Sequence, residues 1–283
     1  MNNIIVIGAS GQLGNCLQWV AKEKNIENIY FLPSASANIM DPAGLQNTFT
    51  RYQPGYCINC AAYTAVDKAE DEIAVARQVN RDGVINLSQV CATYNTTLIH
   101  VSTDFVFSGQ NFLPLAETDE TAPVNIYGLT KLEGEQAIPA YLQNYFILRT
   151  SWLYSEFGNN FVKTMLRFGK ERDELRVIWD QIGTPTYAID LAACILHIIQ
   201  SQNQQYGIYH YSNEGVTSWY DFAQAIFELS QITVKVTPVR TAEYVTKATR
   251  PAYSVMDKAK IKNNMQIAIP YWRDSLKICL SRL

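Results

Sequence analysis

The chain has 283 residues, 48% of them hydrophobic and 17% charged, with a net charge of −3. That balance excludes a disordered chain, and the lack of any block of basic residues excludes a nucleic-acid binder on charge. The length suits one large α/β domain, or one domain with a smaller lobe.

The chain opens on an apolar run, Ile4 to Ile7, with no basic residues before it. It is too short for a signal peptide, and no stretch approaches the ~18 apolar residues that span a bilayer. A cytoplasmic protein without a membrane segment is expected. Asn3 to Ile7 is predicted as the first strand, followed by a glycine-rich turn and a helix over Gln12 to Lys24. Ile29 to Leu32 is the second strand. Asp41-Pro42 has the pattern of an N-cap with proline at the first helical position, opening a helix to Tyr52. Tyr56 to Asn59 is the third strand, Asp71 to Tyr94 one long helix, and Thr97 to Ser102 the fourth strand. A helix over Tyr127 to Ala140, ended or bent by Pro139, leads to a fifth strand, Tyr145 to Thr150. This alternation predicts a doubly wound parallel sheet of Rossmann type.

After Ser151 the rhythm loosens. A helix is expected from Phe161 to Phe168, a strand from Arg176 to Trp179, a helix from Tyr187 to Ser201 and a strand from Gly207 to Tyr211. Ser218 and Asp221 suggest a capping box opening a helix to Ser230, and Tyr271 to Leu283 an amphipathic helix. The expected division is a dinucleotide-binding domain of residues 1–151 with about 175–212, and a substrate-binding α/β lobe of about 152–174 with 213–283.

Gly8, Gly11 and Gly14 form G-x-x-G-x-x-G between strand and helix, with Gln12 and Leu13 inside it. Such a turn lets the backbone approach a pyrophosphate, which the helix N-terminus then holds with free N–H groups. The end of the second strand normally discriminates between dinucleotides. Here, Leu32 to Asn38 carries neither an acid for a ribose 2′-OH nor a base for a 2′-phosphate. Without the acid a phosphate is not repelled, which favours NADPH and leaves NADH open. Ser34 and Ser36 are placed to donate to that phosphate or simply to face water. Asp41, a little further on, joins the cofactor candidates.

Tyr127-Gly128-Leu129-Thr130-Lys131 is Y-x-x-x-K on a predicted helix, which puts both side chains on one face. Lysine beside a tyrosine favours the phenolate and can also hold a nicotinamide ribose. Alone the motif is common. Upstream, however, the fourth strand ends in Ser102, Thr103 and Asp104, where open α/β sheets bind ligands. A hydroxyl there can orient a carbonyl toward the tyrosine.

Cys57 and Cys60 make a C-x-x-C among six cysteines. With no second pair and no nearby histidine, buried reduced thiols are expected rather than a metal or disulfide. His100, His197 and His210 lie in apolar patterns and are expected to be structural.

Nearly end to end, the chain resembles the dTDP-4-dehydrorhamnose reductases, a family of extended short-chain dehydrogenases/reductases. The segments that carry the likeness are Gly8–Gly14, Asn59–Glu70, Ser102–Phe107, Asn125–Lys131, Arg149–Tyr154, Asn159–Phe161, Asp180–Thr186 and Arg250–Ser254. One departure is Cys60, where the family has alanine.

The resemblance implies an oxidoreductase that reduces the C4 ketone of dTDP-4-dehydro-L-rhamnose to dTDP-L-rhamnose with NAD(P)H, in dTDP-rhamnose and surface polysaccharide biosynthesis. It implies Tyr127 as proton donor, Lys131 as the cofactor-holding and pKa-setting residue, and Thr103 as the third catalytic group. Ala62, Tyr63, Thr64 and Ser102 would line the cofactor. Thr103, Asp104, Trp152, Asn160 and Arg250 would meet the sugar nucleotide. No metal is implied, and a homodimer is left open. The alternatives are a reductase of another nucleotide-linked 4-keto sugar and a non-catalytic NADP-binding regulatory subunit.

Overall fold

The computed structural model describes residues 2–110 and 112–283. Its first part runs β1 (Asn3–Ile7), α1 (Gln12–Glu23), β2 (Ile29–Leu32), α2 (Pro42–Tyr52), β3 (Pro54–Asn59), α3 (Val66–Ala69), α4 (Ile73–Arg77), α5 (Gly83–Thr93), β4 (Thr97–Thr103), α6 (Ile126–Ala137) and β5 (Tyr145–Thr150). Then come β6 (Leu153–Tyr154), α7 (Phe161–Glu171), β7 (Glu174–Ile178), β8 (Ile182–Gly183), β9 (Thr186–Tyr187), α8 (Ala188–Gln200) and β10 (Gly207–His210). The chain continues with β11 (Thr217–Ser218), α9 (Trp219–Ser230), β12 (Lys235–Val239), α10 (Ala259–Met265) and α11 (Trp272–Leu280).

Six strands form one parallel sheet in the order β10-β5-β4-β3-β1-β2. Helices cover both faces, so its strands are near-continuous apolar runs. In β1, Ile4 and Val6 pack into one core and Ile5 and Ile7 into the other. The same logic orients α1, whose Leu13, Cys16, Leu17, Val20 and Ala21 are buried toward α8. Full burial of such aliphatic side chains contributes ~1.5–3 kcal/mol each. Helix propensity differs by at most ~0.7 kcal/mol per ordinary residue, so burial decides which face turns inward.

Because the strands are parallel, their carboxyl ends share one edge. The chain leaves β1 toward β2 on one side and returns through β3 on the other, which makes a switch point at β1 and β3 where such sheets bind ligands. The glycine turn, Cys60–Ala62, Thr103 and Thr150 all lie along that edge.

Three expectations need correction. The helix over Asp71 to Tyr94 runs continuously from Ile73 to Thr93, starting two residues late, but widens to i→i+5 bonding at Gln78–Asp82. In it, Asn80 accepts from the Tyr63 N–H (2.9 Å) and donates to the Tyr63 carbonyl (3.1 Å) and the Thr130 hydroxyl (3.1 Å). Those long-range bonds outweigh a regular turn, and helical periodicity carries no trace of them. Second, β7 was grouped by sequence with the nucleotide domain, yet it pairs in parallel with β12 in a separate two-stranded sheet. Third, β12 and α10 were not expected at all. The first carries Pro238 and the second is one short, largely polar stretch, so both form through tertiary pairing.

No helix is long and apolar enough to cross a membrane among the described residues. All six cysteines are free, and no cluster of His, Cys, Asp or Glu is grouped to hold a metal ion among those residues.

Candidate active site

A cleft of about 520 Å³ opens along the carboxyl edge of the sheet. Gly11, Gln12 and Leu13 wall one end, and Ser102, Thr103, Tyr127 and Lys131 the middle. Trp152, Trp219 and Arg250 close the other end and also line an adjoining pocket of about 260 Å³.

Each side chain is placed by a local rule and a long-range one. Asn125 caps α6 by accepting from Gly128 N (2.7 Å) and also donates to the Thr249 carbonyl (2.8 Å). That anchors the first turn of α6, which carries Tyr127, beside the loop that carries Arg250. Gly128 lets the turn approach β4: a Cβ there would lie 2.1 Å from the Phe105 carbonyl oxygen. Tyr127 then packs edge-on against Phe105 at 5.7 Å. One turn on, Lys131 is 1% exposed. Its ammonium position lies 2.7 Å from the Val101 carbonyl and 3.2 Å from His100 Nε2.

The far end is held more loosely by local rules. Trp152 has φ +46°, a left-handed backbone unusual for tryptophan, and stacks on Trp219 with ring centroids 3.5 Å apart and planes 9° apart. Arg250 is pinned by Asp67, at 2.7 and 3.2 Å. The pair keeps the guanidinium at the cleft rather than in solvent.

Residues 1–283 match the family model described as RmlD substrate binding domain. A dTDP-4-dehydrorhamnose reductase of Aggregatibacter actinomycetemcomitans is 39% identical over 287 aligned residues, with 98% of each chain covered. The chain belongs to the RmlD substrate binding domain family. Two solved structures are similar throughout. One is a dTDP-4-dehydrorhamnose reductase from Clostridium acetobutylicum, with a TM-score of 0.95, 41% identity and 99% of each chain covered. The other, from Bacillus anthracis in complex with NADP, has a TM-score of 0.95 and 39% identity, covering 100% of this chain and 99% of that one.

The cleft of this RmlD-family chain fits a nicotinamide dinucleotide on its own geometry. Gly8 has φ +78°, and a Cβ there would lie 2.6 Å from the Ala61 backbone nitrogen, so only glycine keeps the turn this close to β3. Three buried polar atoms around the cleft have no partner among the described residues: Ser102 Oγ, Asp104 Oδ2 and Thr150 Oγ1. Buried polar atoms of that kind can be satisfied by a bound ligand or by water in the cleft.

Electrostatics sort the titratable groups. Burial pushes the Tyr127 phenol up to about 12, opposed by the Thr103 hydroxyl. Burial also brings Lys131 down to about 8, opposed by Glu135. Asp104 is 2% exposed, and burial pushes its carboxyl up to about 6. A carboxyl whose folded value exceeds the unfolded one (~3.9) costs stability as pH rises between the two. Asp104→Asn is therefore expected to melt roughly 2–4 °C above wild type at pH 8. The gain should fade as pH falls through about 6 and vanish below ~4. Thermal melts across pH 4–8 measure this, and a gain that ignores pH would contradict it.

Several expected residues sit elsewhere. The Tyr63 ring turns outward, donating to Glu72 (2.6 Å), although its neighbours Ala62 and Thr64 line the cleft. Asp41 caps α2 by accepting from Gly44 N (3.0 Å), and its use is explained there. Ser34 is exposed in the turn after β2, outside the cleft walls. Asn160 caps α7 and donates to Gln12 Oε1 (2.9 Å), so it braces the glycine turn while Asn159 lines the cleft.

Of the histidines, His197 bonds the Met265 carbonyl and His210 the Leu115 carbonyl, as structural residues do. His100 differs, since it lies against Lys131. Trp219 and Asp67 were not singled out by sequence. Ser218-Trp219 read only as a helix start, and Asp67 only as part of a family-like segment.

Proposed function

We propose that this chain reduces the C4 ketone of dTDP-4-dehydro-L-rhamnose to give dTDP-L-rhamnose. The observation that carries the reading is the convergence of Thr103, Tyr127 and Lys131 in the middle of one cleft whose end is the glycine turn. A bound reduced nicotinamide supplies the hydride. Gly8, Gly11, Gln12, Leu13 and Gly14 would hold its pyrophosphate, with Ala62, Thr64 and Ser102 along its length and Lys131 at the ribose.

Tyr127, raised to about 12, stays a phenol at neutral pH, the form a proton donor needs. It gives its Oη proton to the alkoxide forming at C4. Thr103, whose hydroxyl donates to Asp104 Oδ1 (3.1 Å) in the free protein, would turn to the same oxygen and orient it, and Lys131, in its ammonium form, would steady the phenolate left behind. Asp104 and the stacked Trp152 and Trp219 bound the sugar. The lobe of about 152–178 with 213–283, which includes β7, supplies Trp152, Trp219 and Arg250, and residues 1–151 with the remainder up to about 212 supply the cofactor domain. We place the reaction in the cytoplasm and leave a homodimer open. NADPH is the favoured cofactor, because the turn holding Ser34 and Ser36 carries no acid to repel a 2′-phosphate.

The test is NADPH oxidation by purified protein with dTDP-4-dehydro-L-rhamnose, with the product identified by NMR. Turnover only on a different nucleotide-linked 4-keto sugar would redirect the reading, and no turnover on any would end it. A tenfold preference for NADH in kcat/KM would reverse the cofactor assignment.

Arg250 offers a sharper check. Charge-assisted bonds to a diphosphate contribute ~1.5–3 kcal/mol. Arg250→Ala is expected to raise KM for the sugar nucleotide about 10- to 150-fold, with KM for NADPH within about twofold of wild type. Equal loss for both ligands would mean that the change had loosened the loop held by Asp67 instead.

A further inference from the structure

Behind the cleft, four groups form a continuous row of hydrogen bonds. The Ala61 N–H donates to Asn59 Oδ1 (3.1 Å), Asn59 Nδ2 lies 3.0 Å from His100 Nδ1, and His100 Nε2 lies 3.2 Å from Lys131 Nζ. Asn59 and His100 are 1% exposed or less and lie outside the cleft lining, so water cannot correct a mismatch between them.

The polarity of this row follows from its first member. A backbone N–H can only donate, so the amide of Asn59 must turn its oxygen to Ala61 and its NH2 to His100. His100 Nδ1 must then accept. An imidazolium, with N–H on both nitrogens, would set donor against donor. The ring is therefore neutral, with its proton on Nε2, and that N–H points at Lys131. An ammonium has no lone pair to receive it, whereas an amine has one and still donates to the Val101 carbonyl (2.7 Å).

We infer that His100 is a positioning residue that presents an N–H to Lys131, so that protonating the lysine requires giving up the hydrogen bond from His100 while the one to Val101 is kept. The charged and titratable groups around Lys131 do not undo this polarity. Cys60, from the end of β3, is a thiol that burial pushes up and keeps neutral. Tyr127 is a phenol, and Asp104 follows β4. Glu133 and Glu135, the two carboxylates on the next turn of α6, are already held by Arg77 and Arg149. From the wide turn packed on α6, the buried inward residue is the uncharged Asn80. The inference holds whichever sugar is reduced.

NMR of the folded 283-residue protein tests it without substrate or cofactor. The chain has only three histidines. Long-range 1H–15N spectra should show His100 as the Nε2–H tautomer throughout pH 6–9, while His210 donates from Nδ1 to Leu115. An Nδ1–H tautomer or an imidazolium at His100 would overturn the inference.

The second measurement is a 15Nζ titration of Lys131, assigned by its loss in Lys131→Met. Wild type should titrate at least about 1 pH unit below the ordinary ~10.4. His100→Gln, which can turn an amide oxygen to the lysine, should titrate at least about 1 pH unit higher than wild type. Asn59→Asp reverses the row with one atom changed and should do the same. A rise in Asn59→Asp alone would reflect its added charge, and no rise in either would leave burial as the whole cause. Both outcomes overturn the inference. In turnover assays the alkaline limb of kcat/KM should move to higher pH in His100→Gln, which a merely structural loss would not do.

Discussion

Tyr127→Phe is expected to cut kcat by about 10²–10⁴-fold, the usual contribution of a positioned general acid. The dissociation constant for NADP should stay within about twofold of wild type. Phenylalanine keeps the ring that packs against Phe105 and removes only the hydroxyl, so the first turn of α6 and its Asn125 cap are preserved. Thr103 and Lys131 remain and can still orient the carbonyl, which leaves a residual rate above the uncatalysed one. Single-turnover kinetics at saturating NADPH separates the chemical step from binding. Wild-type kcat would remove Tyr127 from the mechanism. A parallel loss of cofactor affinity would mean that the hydroxyl holds the dinucleotide rather than the proton.

Glu135→Ala should destabilise the protein by about 3–5 kcal/mol, the cost of stranding a buried charge. Arg149 and Glu135 are 3% and 2% exposed and joined by three bonds of 2.7–3.1 Å. Arg149 also faces the Phe107 ring at 5.1 Å and lies 3.4 Å from His210 Nε2. His210, held down to about 3 by burial and by Arg149, accepts there while its Nδ1–H binds the Leu115 carbonyl. Removing the carboxylate leaves a guanidinium with no counter-charge between α6 and β5, one turn beyond Lys131. Chemical denaturation of the single variant and of Glu135→Leu with Arg149→Met measures both halves. The double variant should lose less than the single one, because well-packed apolar side chains replace a buried ion pair at little cost. A loss below ~1 kcal/mol in Glu135→Ala would mean that water reaches the pair.

The two predictions bear on neighbouring parts of one design. α6 presents Tyr127 and Lys131 to the cleft, and Glu135 fixes the same helix to β5. The catalytic spacing is thus local, while its placement against the sheet depends on a buried pair that joins residues far apart in the chain.

Much of the molecule was legible in the sequence because local chemistry dictates it. The strands β1, β2 and β5 were found at their observed bounds, since fully buried strands are short apolar runs between turn residues. The glycine turn was legible because only glycine fits its backbone, and Tyr127 with Lys131 because i, i+4 spacing in a helix places both on one face. Caps at Asp41 and Ser218 follow from side chains bonding backbone a few residues on.

What the tertiary structure alone decided involves partners distant in sequence. Asn80 opens a wide turn in a segment whose periodicity reads as one helix, because Tyr63 and Thr130 complete its bonds. Trp152, with its left-handed backbone, stacks on the distant Trp219, and Arg250 is held at the cleft by the distant Asp67 as well as by the Ala248 carbonyl. His100 looks like any apolar-strand histidine until β3 and α6 bring Asn59 and Lys131 to its two nitrogens. Periodicity and spacing record which face of an element is buried. They do not record which polar atom, on which other element, will be there to meet it.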